Sequence, residues 1–578
     1  MSLLKQLVHN GVLVPAPPSP RHITLWVRGE LVRLTPKQEE MALAWAAKQG
    51  TSYVDDPVFV RNFMADFSAA LGITPPLGVD EVGFGPAIRI IEAERAAKEA
   101  RTREERKALA TARKVEREAL KERYGHAIVN GERVELGGYV VEPSGIFMGR
   151  GQHPLRGRWK EGATESDITL NLSPDAPCPP GDWKEIVWQP ESLWVARWRD
   201  KLSDKLKYIW LSDTAPVKQR REAEKFDQAR DLHQSIGEVR AHIDKGLRDG
   251  KPRRKMVATA CYLIDKLCLR VGDEKDEDEA DTVGATTLRP EHVTLHEDGT
   301  AEFRFLGKDS VEWHKTISLP RVVHENLQEL INNARPSNSN SGNGDKPQIF
   351  PLISSRNVNQ FLSDVLPGLT AKVFRTYHAT ETVRRQLEEA EVSAGDPEYK
   401  KWEAISMANL AAAELCNHTK QASASWPRRL KRMQEREEKY AARVEQRETQ
   451  LCERRADLEA LPQEAVEKLA SCTTEKRRQR TELSFQKKIE RAQRRVQVAE
   501  SQHRKAGRSL GKLRTQMAVN SEKREWNLNT SLKSYIDPRI PYDWGQGVDY
   551  DVLERYYPKT LRRKFAWVRN SDDAGDES

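Results

Sequence analysis

Residues 427–518 limit the possible folds more than any other stretch of the chain. Leu430, Met433, Tyr440, Val444, Leu451 and Leu458 recur at helical intervals of three and four, or at their sum. Phe485, Ile489, Ala492, Val496, Ala499, His503, Ala506, Leu510, Leu513 and Met517 repeat the pattern. So narrow an apolar strip on two long helices has to be covered by another helix, which predicts an antiparallel coiled-coil hairpin. Leu461-Pro462 and the polar residues after it are the expected turn. Residues 421–520 also hold 25 Lys+Arg against 14 Asp+Glu, a net +11 in a chain whose total is +8. The basic excess belongs to this one segment, and a basic stripe suits a polyanion such as nucleic acid.

The whole chain has 578 residues, enough for about three or four domains, and a mean hydropathy of -0.73. No run approaches the ~18 to 20 apolar residues that cross a bilayer, and the first residues lack the apolar core and cleavage site of a signal peptide. Membrane and secreted classes are therefore not expected. Cys178, Cys261, Cys268, Cys416, Cys452 and Cys472 form no CxxC pair, so neither a disulfide framework nor a thiolate zinc site follows, and an intracellular, reduced protein is expected.

Composition divides the chain into four segments. Residues 1–214 mix short strands (HITLWVRGELVRL, DITLNL, LKYIWL and also GGYVVEP) with helices, including a charged, Ala-rich helical stretch from Ile88 to about Arg123. Residues 215–420 read as mainly helical with a β insert. There MVATACYLIDKLCLRVG keeps Val257, Ala260, Cys261, Ile264, Leu267 and Cys268 on one face and is expected to end at Arg270, before Gly272. EFRFLGKDSVEWHKTI reads as a hairpin tipped by Lys308. Residues 332–348 read as a flexible polar loop. Residues 421–521 are the basic hairpin. Residues 522–578 form a small helical domain ending in an acidic tail.

Several chemistries are excluded. Gly507-Arg-Ser-Leu-Gly511-Lys512-Leu513 has the wrong spacing for a P-loop and lies inside a helix. No HExxH occurs, and the acidic run 273–281 reads as a solvated loop, so no metal site and no cofactor is expected. What remains is a scattered set: Arg270 at the expected end of its helix, Lys308 at a hairpin tip, Arg375 in AKVFRTYH, His418 in AAAELCNH and Tyr535 in SLKSYIDPR. Singly, each has an ordinary structural explanation.

Taken in order, LCLRVGDEKDEDEADTVG, EFRFLGKDS, GLTAKVFRTYHAT, AELCNH and SYIDPR resemble the eukaryotic-type DNA topoisomerase IB family, as do LTPKQEE, GRGQHP and KFAWV. The resemblance spans nearly the whole chain. It implies an α+β multidomain clamp: a mixed N-terminal cap (1–214), a mainly helical catalytic core with a β insert (215–420), a coiled-coil linker (421–521) and a helical C-terminal domain (522–578). It implies Tyr535 as nucleophile, forming a 3′-phosphotyrosine, with Arg270, Arg375 and His418 on the nonbridging oxygens and Lys308 as general acid. It implies DNA contacts from Arg150, His153, Asp309, Asn417, Thr530 and Ser534. The implied partner is double-stranded DNA read without sequence preference by a monomer, with neither metal nor ATP.

The sequence departs from the family at Ser534, where Asn is usual, and at Met148, where Arg is common. It begins almost at the folded core, without a long basic extension. An archaeal member associated with the cytoplasmic nucleoid is therefore expected, or a nuclear one if the chain is a trimmed eukaryotic core. Two other readings are a tyrosine recombinase and a non-catalytic architectural DNA-binding protein. A recombinase would have HxxR where Lys372-xx-Arg375 stands, and would lack the basic coiled coil.

Overall fold

The structure is a computed structural model that describes residues 4–273, 282–336 and 346–570. Most of the acidic run, the middle of the polar loop and the acidic tail lie outside the described residues. The protein is a mixed α+β chain of two compact units, Met1–Val373 with Arg563–Trp567, and Phe374–Arg562 with the C-terminal residues.

The first unit opens with strands β1 (Leu7–His9), β2 (Thr24–Val27) and β3 (Glu30–Arg33). Helix α1 (Pro36–Ala46) starts where LTPKQEE predicts: Thr35 caps the Gln38 N–H, Gln38 reaches back to Thr35, and Pro36 occupies the first turn. Helix α2 (Pro57–Leu71) is capped by Asp56 and stopped by left-handed Gly72. These helices pack Trp45, Phe59, Phe63 and Phe67 against β2, β3 and β4 (Val82–Gly83).

The Ala-rich stretch is two helices, α3 (Gly85–Ala100) and α4 (Arg103–Tyr124), divided where Thr102 caps Glu105. Among them only Ala87 is buried. A second core forms from β1, β5 (His126–Val129), β6 (Glu132–Glu135) and a sheet containing β9 (Thr169–Asn171), β10 (Glu185–Val187), β11 (Trp194–Arg199) and β12 (Leu206–Trp210). The short pair β7 (Gly145–Ile146) and β8 (Trp159–Lys160) flanks the loop carrying Arg150. GGYVVEP makes only an isolated bridge, Leu13 with Val140, and no strand.

Helices α5 (Pro216–Leu247) and α6 (Pro252–Leu267) pack together. Strands β13 (Val293–Leu295), β14 (Thr300–Gly307) and β15 (Val311–Ser318) follow, then α7 (Arg321–Asn332) and α8 (Ser355–Ser363). The KFAWV segment closes onto α5: Phe565 lies 6.3 Å from Phe226 and Lys564 3.0 Å from Glu222. Burial there holds the Lys225 amine down to about 8.

Helix α6 ends at Leu267, with Cys268 in the left-handed region at φ 52°, so Arg270 is outside the helix rather than its last residue. Gly272 has a different task. A Cβ there would lie 2.7 Å from the Gly284 backbone, so the two glycines let two chain segments touch.

Helix α9 (Ala371–Glu388) leads into the second unit, which continues with α10 (Glu398–Leu415), α11 (Trp426–Ala470) and α12 (Glu475–Glu522). The ion pairs Glu437–Arg514 and Arg455–Glu500 run in opposite directions along α11 and α12, which makes the pair antiparallel. Every residue of the two predicted strips is at least half-buried. The turn is not at Leu461-Pro462. Helix α11 runs through exposed Pro462 to Ala470, and residues 471–474 turn the chain. A mid-helix proline costs ~3 kcal/mol, and packing spread along the two long helices offsets it. Gly511 sits within α12, where a Cβ would meet the Tyr399 hydroxyl at 2.8 Å. It is a close approach, not a phosphate loop.

Candidate active site

Three of the five candidates meet in the second unit. Arg375 is on α9 and only 3% exposed. His418 follows α10, whose end is shaped by Asn417 at φ 53°. The Asn417 N–H bonds to the Glu414 carbonyl at 3.0 Å, and the His418 N–H to the Ala413 carbonyl at 2.8 Å. This is the left-handed stop that asparagine tolerates, and it places the imidazole at the negative end of a helix. The chain then pairs Thr419 with Trp526, and the Asn527 N–H donates to the His418 carbonyl at 2.7 Å. Helix α13 (Leu528–Ser534), carrying half-buried Thr530 and Ser534, therefore starts beside His418.

Tyr535 ends α13 and is 9% exposed. Its ring stacks on His418 with centroids 5.3 Å apart, and the Arg375 guanidinium carbon lies 4.9 Å from its centre. Arg375 Nη2 also donates to the Cys416 carbonyl at 2.8 Å and sits 3.3 Å from His418 Nε2. A phenol ring packed against a guanidinium and an imidazole has a cationic donor and a titratable ring at hand for a negatively charged group. Tyr557, on the same unit, is 1% exposed, and burial pushes its phenol well above the usual range, which suits a core residue.

The sequence reading missed two residues that hold this arrangement. The Thr380 hydroxyl, on α9, donates to the Tyr535 carbonyl at 3.2 Å and accepts from the Asp537 N–H at 3.1 Å. Ser531 Oγ lies 2.7 Å from His418 Nδ1. Ser531 stands four positions before Tyr535, one helical turn, and that spacing is the only sequence signal for it. Next to them, Arg539 clasps buried Asp537 through Nε and Nη2 at 3.0 and 2.7 Å, fixing the turn after the tyrosine.

The other two candidates lie in the first unit. The Arg270 carbonyl accepts from the Ala285 N–H at 2.8 Å, and the Val283 N–H donates to the Leu306 carbonyl at 2.8 Å, so one segment ties Arg270 to the hairpin. Lys308 is exposed in the turn Lys308–Ser310, as expected, and Asp309 shares that turn. A Cβ on Gly151 would meet Ser310 at 2.4 Å, so the hairpin tip presses on the loop carrying Arg150. Arg150 and His153 line a cavity of about 590 Å³ with Glu142, Lys160, Lys205 and Ser310. His153 packs edge-on against Phe147 at 4.8 Å. Among the described residues, no group of three or more His, Cys, Asp or Glu is placed to hold a metal ion, and no helix is long and apolar enough to cross a membrane.

The profile of the eukaryotic DNA topoisomerase I catalytic core matches residues 214–451, that of its DNA binding fragment residues 4–211, and that of a C-terminal topoisomerase domain residues 508–575. DNA topoisomerase 1 of Candidozyma auris is 32% identical over 98% of this chain and 82% of its own length. The chain belongs to the eukaryotic DNA topoisomerase I family. DNA topoisomerase 1 of Homo sapiens is 30% identical over 98% of the chain and 71% of its own length. DNA topoisomerase 1 beta of Arabidopsis thaliana is 32% identical over 98% of the chain, which spans 59% of that relative. Membership in the topoisomerase I family makes the chain an isomerase of type IB, with DNA as its partner.

Proposed function

We propose that the chain relaxes supercoiled double-stranded DNA by cutting one strand, letting it rotate and resealing it, without metal or ATP. The observation that supports this most is the meeting of Arg375 and His418 around the Tyr535 ring. The Tyr535 hydroxyl attacks a phosphodiester, giving a 3′-phosphotyrosine and a free 5′-hydroxyl. Arg270 and Arg375 donate to the nonbridging oxygens, whose charge grows in the transition state, and His418 adds a further donor when Nε2 carries a proton. Lys308 protonates the departing 5′-oxygen. The phosphotyrosine keeps the bond energy, so religation is the same reaction reversed.

Residues 1–214 act as a cap, and residues 215–420 with the C-terminal residues 522–578 as the catalytic half of a clamp around DNA, with the chain working as a monomer. The basic helical pair serves as a linker near the duplex, where phosphate attraction needs no sequence. Arg150, His153, Asp309, Asn417, Thr530 and Ser534 contact the DNA.

The test is plasmid relaxation in excess EDTA without ATP, together with Tyr535→Phe. Wild-type protein is expected to relax the plasmid and to form a trapped covalent adduct. Tyr535→Phe is expected to lose the adduct and keep its gel-shift affinity, because a single oxygen is removed. Adducts that survive in Tyr535→Phe, or an absolute need for Mg²⁺, would overturn the mechanism. DNA binding without any change in topology would favour the architectural reading.

A further inference from the structure

Arg375 and Ser531 each contact one nitrogen of the His418 ring and so bear on where its proton sits. An arginine can only donate, so Arg375 Nη2, 3.3 Å from His418 Nε2, makes that nitrogen the acceptor. The ring proton then sits on Nδ1, and Ser531 Oγ, 2.7 Å away, accepts it. Ser531 is 0% exposed. Its backbone carbonyl accepts the N–H of Tyr535 at 2.9 Å and of Ile536 at 3.1 Å. A single residue thus holds the histidine with its side chain and the tyrosine with its backbone.

We propose that Ser531 is a positioning residue for the reaction: it fixes the ring plane and the Nδ1 proton of His418, and so leaves Nε2 as the nitrogen that works beside Arg375 and Tyr535. Both nitrogens of an imidazolium donate, so the same serine lone pair serves when Nε2 carries a proton toward a phosphoryl oxygen. Alanine at this position leaves a buried N–H without its acceptor, and the ring loses the contact that sets its plane. The inference rests on the role assigned to His418 above.

The experiment compares wild type, Ser531→Ala, His418→Ala and the double variant in single-turnover cleavage of a duplex oligonucleotide, with gel-shift affinity and melting temperature measured alongside. Ser531→Ala is expected to cleave about 10- to 100-fold more slowly, the range for losing one hydrogen bond to a charged group, with affinity unchanged. The double variant is expected to be no slower than His418→Ala. In nitrogen-15 spectra, with the His418 signals assigned by their loss in His418→Ala, the wild-type ring is expected to carry its proton on Nδ1.

A wild-type cleavage rate in Ser531→Ala, or losses that multiply in the double variant, would overturn the inference while leaving His418 its role. A wild-type rate in His418→Ala would instead remove that role and the reading beneath it. Should Ser531→Ala melt too low to assay, the wild-type spectrum decides, and a proton on Nε2 alone refutes the assignment.

Discussion

Thr380→Val changes one hydroxyl to a methyl of nearly the same shape, at the point where α9 holds the backbone of Tyr535, the proposed nucleophile. The threonine is buried, and its oxygen bonds on both sides of Ile536, to the Tyr535 carbonyl at 3.2 Å and the Asp537 N–H at 3.1 Å. Valine leaves both backbone groups buried without this partner, at roughly 1–3 kcal/mol each, or about 2–4 kcal/mol together after local relaxation. If the ground state of the variant relaxes away from this geometry and the transition state has to restore it, an energy of that size slows cleavage by about 30- to 700-fold at about 1.4 kcal/mol per factor of ten.

Single-turnover cleavage gives the rate, and urea unfolding gives the stability loss in the same protein. Thr380→Ser keeps the oxygen and gives up one methyl, about 0.8 kcal/mol of burial, so it is expected to restore most of the cleavage rate. A valine variant within about threefold of the wild-type rate would refute the clamp. So would a serine variant as slow as the valine one, because then packing and not the hydroxyl would matter.

Two further outcomes concern the fold. Gly157 has φ +90°, and a Cβ there would lie 2.1 Å from the Phe59 carbonyl oxygen, so Gly157→Ala is expected to cost more than about 2 kcal/mol, read as a lowered melting temperature. His9 donates Nε2–H to the Asn171 carbonyl and accepts the Gly11 N–H on Nδ1, and burial holds its pKa at about 4 against 6.5 when free. The folded state therefore binds fewer protons than the unfolded one between those values. About 3 kcal/mol of stability is present above pH 6.5 and is lost as pH falls through 4. Urea midpoints across that range should fall less in His9→Gln, and equal slopes in the two proteins would reject the assignment.

Local chemistry made much of this protein legible. The strips of α11 and α12 are periodic in sequence because a helix repeats every 3.6 residues whatever it packs against. Thr35, Asp56 and Thr102 bond to N–H groups two or three residues away, so three helix starts are written beside the residues they cap. The hairpin around Lys308 is equally local, since its strands alternate buried Phe303, Phe305 and Trp313 with exposed neighbours. The five candidate site residues came from ordered motifs and a family resemblance, not from any pattern of spacing.

What the sequence hid depends on partners far along the chain. Nothing near Cys268 announces a left-handed cap, because most residues avoid positive φ and the surrounding packing imposes it here. Proline in a helix reads as a stop until a second helix is there to outweigh its cost. Ser531 lies 113 residues from His418, and Thr380 155 residues from Tyr535. A hydrogen bond depends on distance and angle in space, so no local pattern records those pairs. The sequence alone determined where the long helices form and, through the family resemblance, which side chains are the candidates for the chemistry. Only tertiary packing, which brings α9, the end of α10 and α13 together, decided which hydroxyls hold the histidine and the tyrosine in place.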